Sequence, residues 1–376
     1  MKEPVKILVC PLNWGIGHAS RMIPVIHQLL HARAEVILAA CGKSAELLKT
    51  EFPDQTFIDL PSFPVRYSRK RSQIFILALQ IPLILVSIIK EHMRLKKITA
   101  VYSPDVIISD NRYGLFHKKI ISVFVTHQVS PALPAGLTWM EPFVFHFLGF
   151  FIKRFDRCWI PDVRDPSMNL TGRLSHRYTP FRNMAYMGIL SRFSNLQVTA
   201  GKKAPEKYDI LIILSGPEPQ RSLLGEIMMR QLKGTDYKTA VICGLHQPPS
   251  QQKINPLKSP ITFYYHLPAT TFKDILLNAG IIICRSGYST VMDLAELDRP
   301  AILIPTPGQS EQEYLARHLS FMGFFYTTEQ KNFNLQASIR QFRATKFRSL
   351  HHFRTQGKTY VQDLMRLYEH KKENDQ

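Results

Sequence analysis

Residues 5–31 read VKILVCPL, NWGIGH and ASRMIPVIHQLLH: an apolar run, a glycine-containing turn and an amphipathic segment. A short continuous apolar run is typical of a buried parallel strand, and the apolar positions Met22, Ile26 and Leu29 recur with helical spacing. The opening therefore predicts a strand, a tight loop and a helix. This is the repeating unit of a doubly wound α/β domain.

The alternation of strand-like and helical segments continues and then restarts after the middle of the chain. Strands are predicted in the first half at 35–40, 55–60, 104–109, 120–126 and 157–161, the last of which we expect to end the sheet. Strands are predicted in the second half at 209–214, 239–243, 261–265, 280–284 and 301–304. Two such halves predict two Rossmann-like domains with a ligand cleft between them, faced by the loops at the carboxyl ends of the strands.

The expected domain limits follow from this restart. Residues 1–193 form the N-terminal domain, and a weakly periodic stretch with Gly201 and Pro205 at 194–207 is the linker. Residues 208–345 form the C-terminal domain. Residues 346–376 are predicted to form basic helices that pack back on the N-terminal domain.

Composition restricts the partners. The 376 residues carry a formal net charge of +19, which favours an anionic partner. The five cysteines lack metal-ligand spacing and suit a reducing compartment. No secretory signal is evident. The longest apolar stretch, 74–89, is interrupted by polar residues and falls short of the roughly 20 residues that a spanning helix needs. We therefore expect a cytoplasmic protein.

The first loop contains the glycine pair Gly15 and Gly17, which lets backbone N–H groups approach an anion at the N-terminus of the next helix. The loop lacks the third glycine of the dinucleotide fingerprint, and residues 39–41 at the end of the next predicted strand include no acid. This pattern argues against a nicotinamide or flavin cofactor. The chain also has no Asp-x-Asp motif, so we expect neither a cofactor nor a metal.

His18 directly follows this loop, where a neutral imidazole suits a general base. Asp110 ends a predicted strand and is the first candidate to accept a hydrogen bond from the other ring nitrogen. Alternatives stay open: His18 as a helix cap, Asp110 as a turn residue, and Glu141 as the acid that pairs with His18.

The C-terminal half contains CRSGYST at 284–290, where a predicted strand ends and a helix begins. Asp293 lies on that helix, and Gln312 with Glu313 follows the next strand. Together with the first loop and Ser215-Gly216, this segment resembles glycosyltransferase family 28 and, more widely, the GT-B fold. The best-known relative adds N-acetylglucosamine to the lipid-linked peptidoglycan precursor. Residues 109–114 and 214–221 look more like an uncharacterised branch of the family.

The resemblance implies a site for a UDP-sugar, which is the co-substrate. In it, serine and glycine loops would hold the diphosphate, Asp293 the ribose, and Gln312 with Glu313 the sugar, while His18 is similar to the family's base. The donor-binding residues expected in this way are Gly15, Gly17, Ser215, Gly216, His266, Leu267, Arg285, Ser286, Gly287, Asp293, Gln312 and Glu313. The sequence SGPEP at 215–219 departs from the glycine-rich loop of the peptidoglycan enzyme, and Glu313 stands where that enzyme has an amide.

Basic residues surround the apolar stretch 74–89 and a second one at 143–155. Apolar surface bordered by lysine and arginine suits the interface of an anionic membrane. The expected membrane-contacting residues are Arg69, Lys70, Arg71, Ile74 and Phe75. The alternative is that both stretches are core helices with exposed basic ends. Nucleic acid is not expected, because the chain lacks an RNA-module signature.

We therefore expect an inverting, metal-independent transfer of N-acetylglucosamine or a related hexose from a UDP-sugar to the hydroxyl of a lipid-linked or glycan acceptor. The enzyme would be peripheral on the inner face of the cytoplasmic membrane. The alternatives are a UDP-sugar hydrolase or 2-epimerase on the same fold, and a non-catalytic subunit that binds nucleotide sugars.

Overall fold

The structure is a computed structural model. It describes residues 3–62, 73–133, 135–194, 196, 207–244, 260–265, 267–355 and 360–374. The chain divides into two compact units. Unit 1 comprises Met1–Arg192 and Thr355–Gln376, and unit 2 comprises Phe193–Arg354. Most of the predicted linker lies outside the described residues.

Unit 1 is built on a parallel sheet in the order β3-β2-β1-β4-β5-β6-β7. Its strands are β1 (Lys6–Pro11), β2 (Glu35–Ala40), β3 (Thr56–Asp59), β4 (Val106–Asp110), β5 (Ile121–Val125), β6 (Arg157–Ile160) and β7 (Met184–Tyr186). The expectation that β6 ends the sheet is wrong, because β7 pairs with β6 at the edge. β7 has only three residues, none of them buried, so it lacks the apolar run by which the other strands are recognised.

The helices of unit 1 cover this sheet. They are α1 (Ile16–His31), α2 (Gly42–Glu51), α3 (Gln73–Tyr102), α4 (Glu141–Ile152) and the single turn α5 (Arg173–His176). Leu95 and Ile98 of α3 pack against strand residues such as Leu8 and Ile107. α4 packs elsewhere on the sheet, where its residue Phe145 joins a cluster with Phe124 and Cys158.

Unit 2 repeats the architecture, with a parallel sheet in the order β10-β9-β8-β11-β12-β13. Its strands are β8 (Tyr208–Ile213), β9 (Thr239–Ile242), β10 (Ile261–Tyr264), β11 (Ala279–Cys284), β12 (Ile302–Leu303) and β13 (Tyr326–Thr327). Its helices are α6 (Gln220–Leu232), α7 (Ala269–Asn278), α8 (Tyr288–Glu296), α9 (Ser310–Phe321) and α10 (Leu335–Ala344). The two-residue strand β13 was not predicted.

The chain then returns to unit 1 through α11 (Tyr360–Asn374). The ring of Tyr360 packs edge-on against Trp159 of β6, at 5.3 Å between centroids. The Tyr368 hydroxyl donates to Asp105 Oδ1 at 3.3 Å. The C-terminal helix is therefore part of unit 1.

Each sheet contains one point at which the strand order reverses. In unit 1 this point lies between β1 and β4, where Pro11 is in register with Asp110. In unit 2 it lies between β8 and β11, where Ile213 is in register with Cys284. In open parallel sheets, ligands bind outside the carboxyl ends of the strands at such a point. The two reversal points therefore mark where to look for a site in each unit.

Candidate functional site

His18 and Asp110 meet at the reversal point of unit 1. Asp110 is the last residue of β4, and its side chain is fully buried. His18 is the third residue of α1, rather than its cap, because the helix begins at Ile16 with Gly15 as the N-cap. The His18 Nδ1 atom lies 3.1 Å from Asp110 Oδ2. The structure thus brings together the two residues that the sequence suggested for proton transfer.

The loop before α1 requires glycine at one position. Gly15 has φ 137°, a conformation that other residues rarely adopt, and its site is open on the Cβ side. The first turn of α1 contains no acidic residue, and no side chain caps it. Gly17 lies in this turn and is half-buried. The N-terminus of α1 therefore retains the partial positive charge that attracts anions.

Arg21 is the residue of this site that sequence reasoning missed. Its side chain is 2% exposed, and its Nε donates to Asp110 Oδ2 at 2.9 Å while Nη2 contacts Asp110 Oδ1. Nη2 also lies 2.8 Å from His18 Nδ1, and Nη1 lies 2.9 Å from His127 Nδ1. The signal was present in the sequence, because Arg21 follows His18 by three residues and so shares its helix face.

The ionisation of Asp110 follows from these neighbours. Burial acts to raise the pKa of the Asp110 carboxyl, but the Arg21 guanidinium, with His18, outweighs it and holds the pKa below its ordinary value. Asp110 is therefore a carboxylate, which can accept a hydrogen bond but cannot donate one.

Glu141, the other acid considered for His18, is engaged elsewhere. Its buried carboxylate forms an ion pair with Arg177 and lies 3.9 Å from Arg173 Nη2. The structure therefore selects Asp110 as the acid beside His18.

The reversal point of unit 2 gathers most of the expected donor-binding residues that are described. Ser215 and Gly216 follow β8, and Gly216 has φ 98°. Ser286 and Gly287 follow β11, and Gly287 is the N-cap of α8. No side chain caps α8 and its first turn contains no acid. The N-terminus of α8 is thus available to an anion.

The N-terminus of α6 differs, because the protein's own carboxylate caps it. Glu218 Oε2 accepts from the Ser222 hydroxyl at 2.8 Å, and Glu218 Oε1 accepts from Arg221 Nε at 2.9 Å. Partial burial acts to raise the pKa of Glu218, but its hydrogen bonds to Arg221 and Ser222 lower it overall. The departure SGPEP noted in the sequence therefore places a carboxylate, paired with Arg221, on an amide donor of this helix end.

Arg285 and the loop after β12 form a buried network in unit 2. The fully buried Arg285 guanidinium donates to the carbonyls of Ile304, Pro305 and Gln220 at 2.8–3.2 Å. Burial lowers the pKa of Arg285 to about 10. Its guanidinium donors are thus directed largely at the protein's own loops, so Arg285 holds these loops together.

The expected sugar-reading residues also form hydrogen bonds within the protein. Gln312 Oε1 accepts from the Thr306 amide at 2.9 Å, and Glu313 Oε1 accepts from the Gly308 amide at 2.8 Å. The Ser286 hydroxyl donates to the Gln312 carbonyl at 2.8 Å. These bonds join the loop after β11 to the start of α9.

Asp293 lies on α8 and is buried, and Leu267 is half-buried just before α7. His266 lies outside the described residues.

Four buried polar atoms around this point have no hydrogen-bond partner within the described part of the chain. They are Gln220 Oε1, Arg285 Nε, Thr306 Oγ1 and Gln309 Oε1. A Cβ built on Gly216 would lie 4.0 Å from Thr306 Oγ1, so this hydroxyl borders the Ser215-Gly216 loop. Native proteins rarely leave such atoms unpaired, and a polar ligand is one thing that would pair them. Thr306 was not among the predicted residues.

Two helices of unit 1 carry exposed apolar faces. On α3, exposed Leu83, Val86 and Met93 recur with helical spacing. On α4, Phe143 and Phe147 are 68% and 49% exposed. The stretch 143–155 nevertheless also contributes Phe145 and Phe155 to the core, so the alternative interpretation of a core helix holds for one side of it.

The expected membrane-contacting residues themselves are not placed. Arg69, Lys70 and Arg71 lie outside the described residues, and the side chains of Ile74 and Phe75 are likewise not described. Among the helices that are described, none combines the length and the hydrophobicity needed to cross a bilayer.

Comparison with known proteins gives a family match over part of the chain and a similar fold over most of it. Residues 221–365 match the model of the glycosyltransferase family 28 C-terminal domain. A 51-residue segment is 45% identical to the UDP-N-acetylglucosamine–N-acetylmuramyl-(pentapeptide) pyrophosphoryl-undecaprenol N-acetylglucosamine transferase of Methylorubrum extorquens. This segment is 13% of the chain and only 14% of that relative.

Two further comparisons cover most of the chain, one by sequence and one by fold. An uncharacterized glycosyltransferase of Methanosarcina mazei is 23% identical over 331 residues, 85% of this chain and 84% of the relative. The solved structure of the calicheamicin glycosyltransferase CalG4 superposes with a TM-score of 0.60 at 13% identity, covering 98% of this chain and 94% of that one. The two-domain GT-B fold expected from the sequence is confirmed, and the family model matches the expected family over residues 221–365.

Proposed function

We propose that this chain, with its family 28 C-terminal domain, transfers N-acetylglucosamine or a related hexose from a UDP-sugar to a hydroxyl of a lipid-linked acceptor, with inversion and without a metal. The observation that carries the proposal is the contact of 3.1 Å between His18 and the buried Asp110 at the reversal point of unit 1.

His18 is the general base in this proposal. When Nδ1–H donates to Asp110, the opposite ring nitrogen, Nε2, has a lone pair for the proton of the acceptor hydroxyl. The ionised Asp110 then stabilises the imidazolium that forms. The His18 side chain is 17% exposed, so the ring is accessible while its partner is not.

The donor binds to unit 2. The open N-terminus of α8 supplies backbone N–H groups and a favourable dipole for the diphosphate, which reduces the need for a metal ion. Glu218 makes the N-terminus of α6 a poor alternative, because its carboxylate would repel the diphosphate. The unpaired Thr306 hydroxyl, next to Gly216, contacts an oxygen of the UDP-sugar.

The acceptor is presented at an anionic membrane surface by unit 1. Exposed basic residues accompany the exposed apolar faces of α3 and α4, with Lys90 and Arg94 on α3 and Arg154 just after the end of α4. Apolar groups enter the headgroup boundary while the cations meet anionic lipid, each worth about 1 kcal/mol near the surface. We propose that the enzyme acts on the inner face of the cytoplasmic membrane.

A thermal-shift panel of UDP, GDP, TDP and CMP ligands tests the donor site first. A ligand at a hundredfold excess over its Kd stabilises the folded state by about 2.7 kcal/mol, so a real site is visible. We expect a shift that is selective for UDP and is lost in Asp293→Ala. No shift with any nucleotide would refute the transferase proposal.

Thr306→Val gives a sharper test, because its two expected effects have opposite signs. Removing an unpaired buried hydroxyl should leave the free protein as stable as before or slightly more stable. Losing the hydrogen bond between this hydroxyl and the charged UDP-sugar should weaken UDP-sugar binding by roughly 10- to 100-fold. A variant that binds normally would remove Thr306 from the site.

Turnover separates transfer from its alternatives. UDP release that requires an acceptor and is abolished in His18→Gln, with UDP binding retained, is the expected result. Equal UDP release without an acceptor would indicate a hydrolase or epimerase, and nucleotide binding without turnover would indicate a binding subunit.

Sedimentation with anionic vesicles tests the membrane surface. Phe143→Ser combined with Phe147→Ser should abolish binding. The matched control is Phe321→Ser in unit 2, where the side chain is 89% exposed and the substitution should have no effect.

A further inference from the structure

The Nδ1 atom of His18 has two polar neighbours of opposite character. Asp110 Oδ2 lies 3.1 Å away and Arg21 Nη2 lies 2.8 Å away. An ionised carboxylate only accepts hydrogen bonds, and a guanidinium only donates them. Nδ1 can therefore bond to Asp110 only when it carries a hydrogen, and to Arg21 only when it does not.

We propose that Arg21 is a positioning residue that competes with Asp110 for His18 Nδ1 and so sets which ring nitrogen of His18 carries the proton. The catalytic meaning of this choice rests on the proposed transferase function. The competition itself is a property of the free protein and can be measured without any substrate.

The Arg21 guanidinium has two partners besides His18. It is bound on one side by both oxygens of Asp110, at the end of β4. On another side Nη1 donates to His127 Nδ1, in the segment after β5. Because arginine has no acceptor, His127 accepts this bond with a lone pair at Nδ1, and its Nε2 lies 3.2 Å from Nε2 of the Gln128 side-chain amide. Asp110 and His127 are thus titratable groups that lie against Arg21, and Asp110 also lies against His18.

The two tautomers of His18 differ in what they can do. With Nδ1–H donating to Asp110, Nε2 has a free lone pair and can accept a proton. In the transfer step the acceptor oxygen bonds to the anomeric carbon, its proton moves to Nε2, and the bond to the diphosphate breaks with its electron pair leaving on UDP. With Arg21 donating to Nδ1, the proton is on Nε2 and this acceptance is blocked.

The shorter contact indicates which tautomer dominates in the free protein. Both separations, 2.8 Å to Arg21 and 3.1 Å to Asp110, allow a hydrogen bond, and the contact with Arg21 is the shorter. We expect Arg21 to hold most His18 rings with the proton on Nε2. The base-competent tautomer requires Nη2 to move away from Nδ1 while Nε stays on Asp110.

Long-range ¹H–¹⁵N spectra of the full chain with ¹⁵N-labelled histidine, recorded at a pH where imidazole is neutral, report the tautomer directly. Signals missing in His18→Gln assign the ring. In the wild type, we expect the ¹⁵N chemical shift of His18 Nδ1 to be that of a ring nitrogen that carries no hydrogen. A wild-type ring with hydrogen on Nδ1 in nearly all molecules would overturn the proposal, and this outcome needs no variant of Arg21.

Arg21→Lys is the decisive variant. A lysine at this position keeps a positive charge beside Asp110. Its single ammonium group cannot contact both Asp110 and His18 as the planar guanidinium does. We expect the tautomer ratio of His18 to invert in favour of Nδ1–H. An unchanged ratio in a variant with a preserved amide spectrum would refute the competition. Both results stand whether or not the chain proves to be a transferase.

Discussion

Replacing Asp110 by asparagine tests the buried charge cluster on which the proposed chemistry depends. The substitution keeps the shape of the side chain and removes only its charge, leaving the Arg21 guanidinium, 2% exposed, without a counter-charge. Breaking one partner of a buried ion pair costs about 3–5 kcal/mol. For a domain the size of unit 1, each kcal/mol lowers Tm by about 2–4 °C, so we expect a fall of about 6–20 °C.

A double-mutant cycle separates this electrostatic loss from a general loss of packing. Its members are Asp110→Asn, Arg21→Met and the two combined, each measured by urea unfolding. Because the double variant has no unpaired buried charge, its loss should fall short of the sum of the single losses by about 2–3 kcal/mol.

Two results would refute this reasoning. One is additivity of the two substitutions within about 0.5 kcal/mol, which is the behaviour of independent sites. The other is an Asp110→Asn variant as stable as the wild type, which would mean that Arg21 has access to water or to another anion.

Three further predictions follow from the same structure. The folded-state pKa of Asp110 is lowered from 3.8, so its stabilising contribution is present above the unfolded pKa and is lost as the pH falls through the folded pKa. In urea unfolding from pH 6 to pH 3, the free energy of unfolding should therefore fall less in Asp110→Asn than in the wild type. A Cβ at Gly114 would lie 2.3 Å from a backbone oxygen of α3, so Gly114→Ala should destabilise by at least about 1–3 kcal/mol, whereas Gly136→Ala, with nothing within 4 Å, should be nearly neutral in the same thermal melt. Glu91→Gln removes the carboxylate that binds buried Arg112 at 2.9 Å and should cost about 3–5 kcal/mol, whereas Asp363→Asn in an exposed pair should change stability by less than about 0.5 kcal/mol; equal losses in chemical denaturation would contradict the difference in burial.

The sequence by itself determined the repeating α/β architecture, because each of its signals is local. The apolar runs of β1 and β11, followed by glycine-containing turns and helical spacing, identify buried parallel strands without knowledge of distant contacts. The same signal fails for β7 and β13, which have three and two residues and are not buried. Edge strands this short are defined by the neighbour with which they pair.

The candidate site was found in part for the same reason. His18 follows a glycine loop and Asp110 ends an apolar strand, so both could be selected as residues at the carboxyl ends of strands. The sequence left Glu141 open as an alternative partner for His18, because the two acids cannot be ranked without their neighbours. The structure pairs Glu141 with Arg177 and Asp110 with His18.

Only the tertiary structure decided what surrounds these residues. Arg21 looks like a cation in an amphipathic helix, yet the reversal of strand order between β1 and β4 buries it between Asp110 and His127. Thr306 looks like an ordinary loop residue, yet its hydroxyl is buried beside Gly216 without a partner. The physical reason is one of range: secondary structure follows from side chains a few residues apart, whereas burial and charge pairing join residues that are distant along the chain, such as Arg21 and Asp110, which are 89 positions apart.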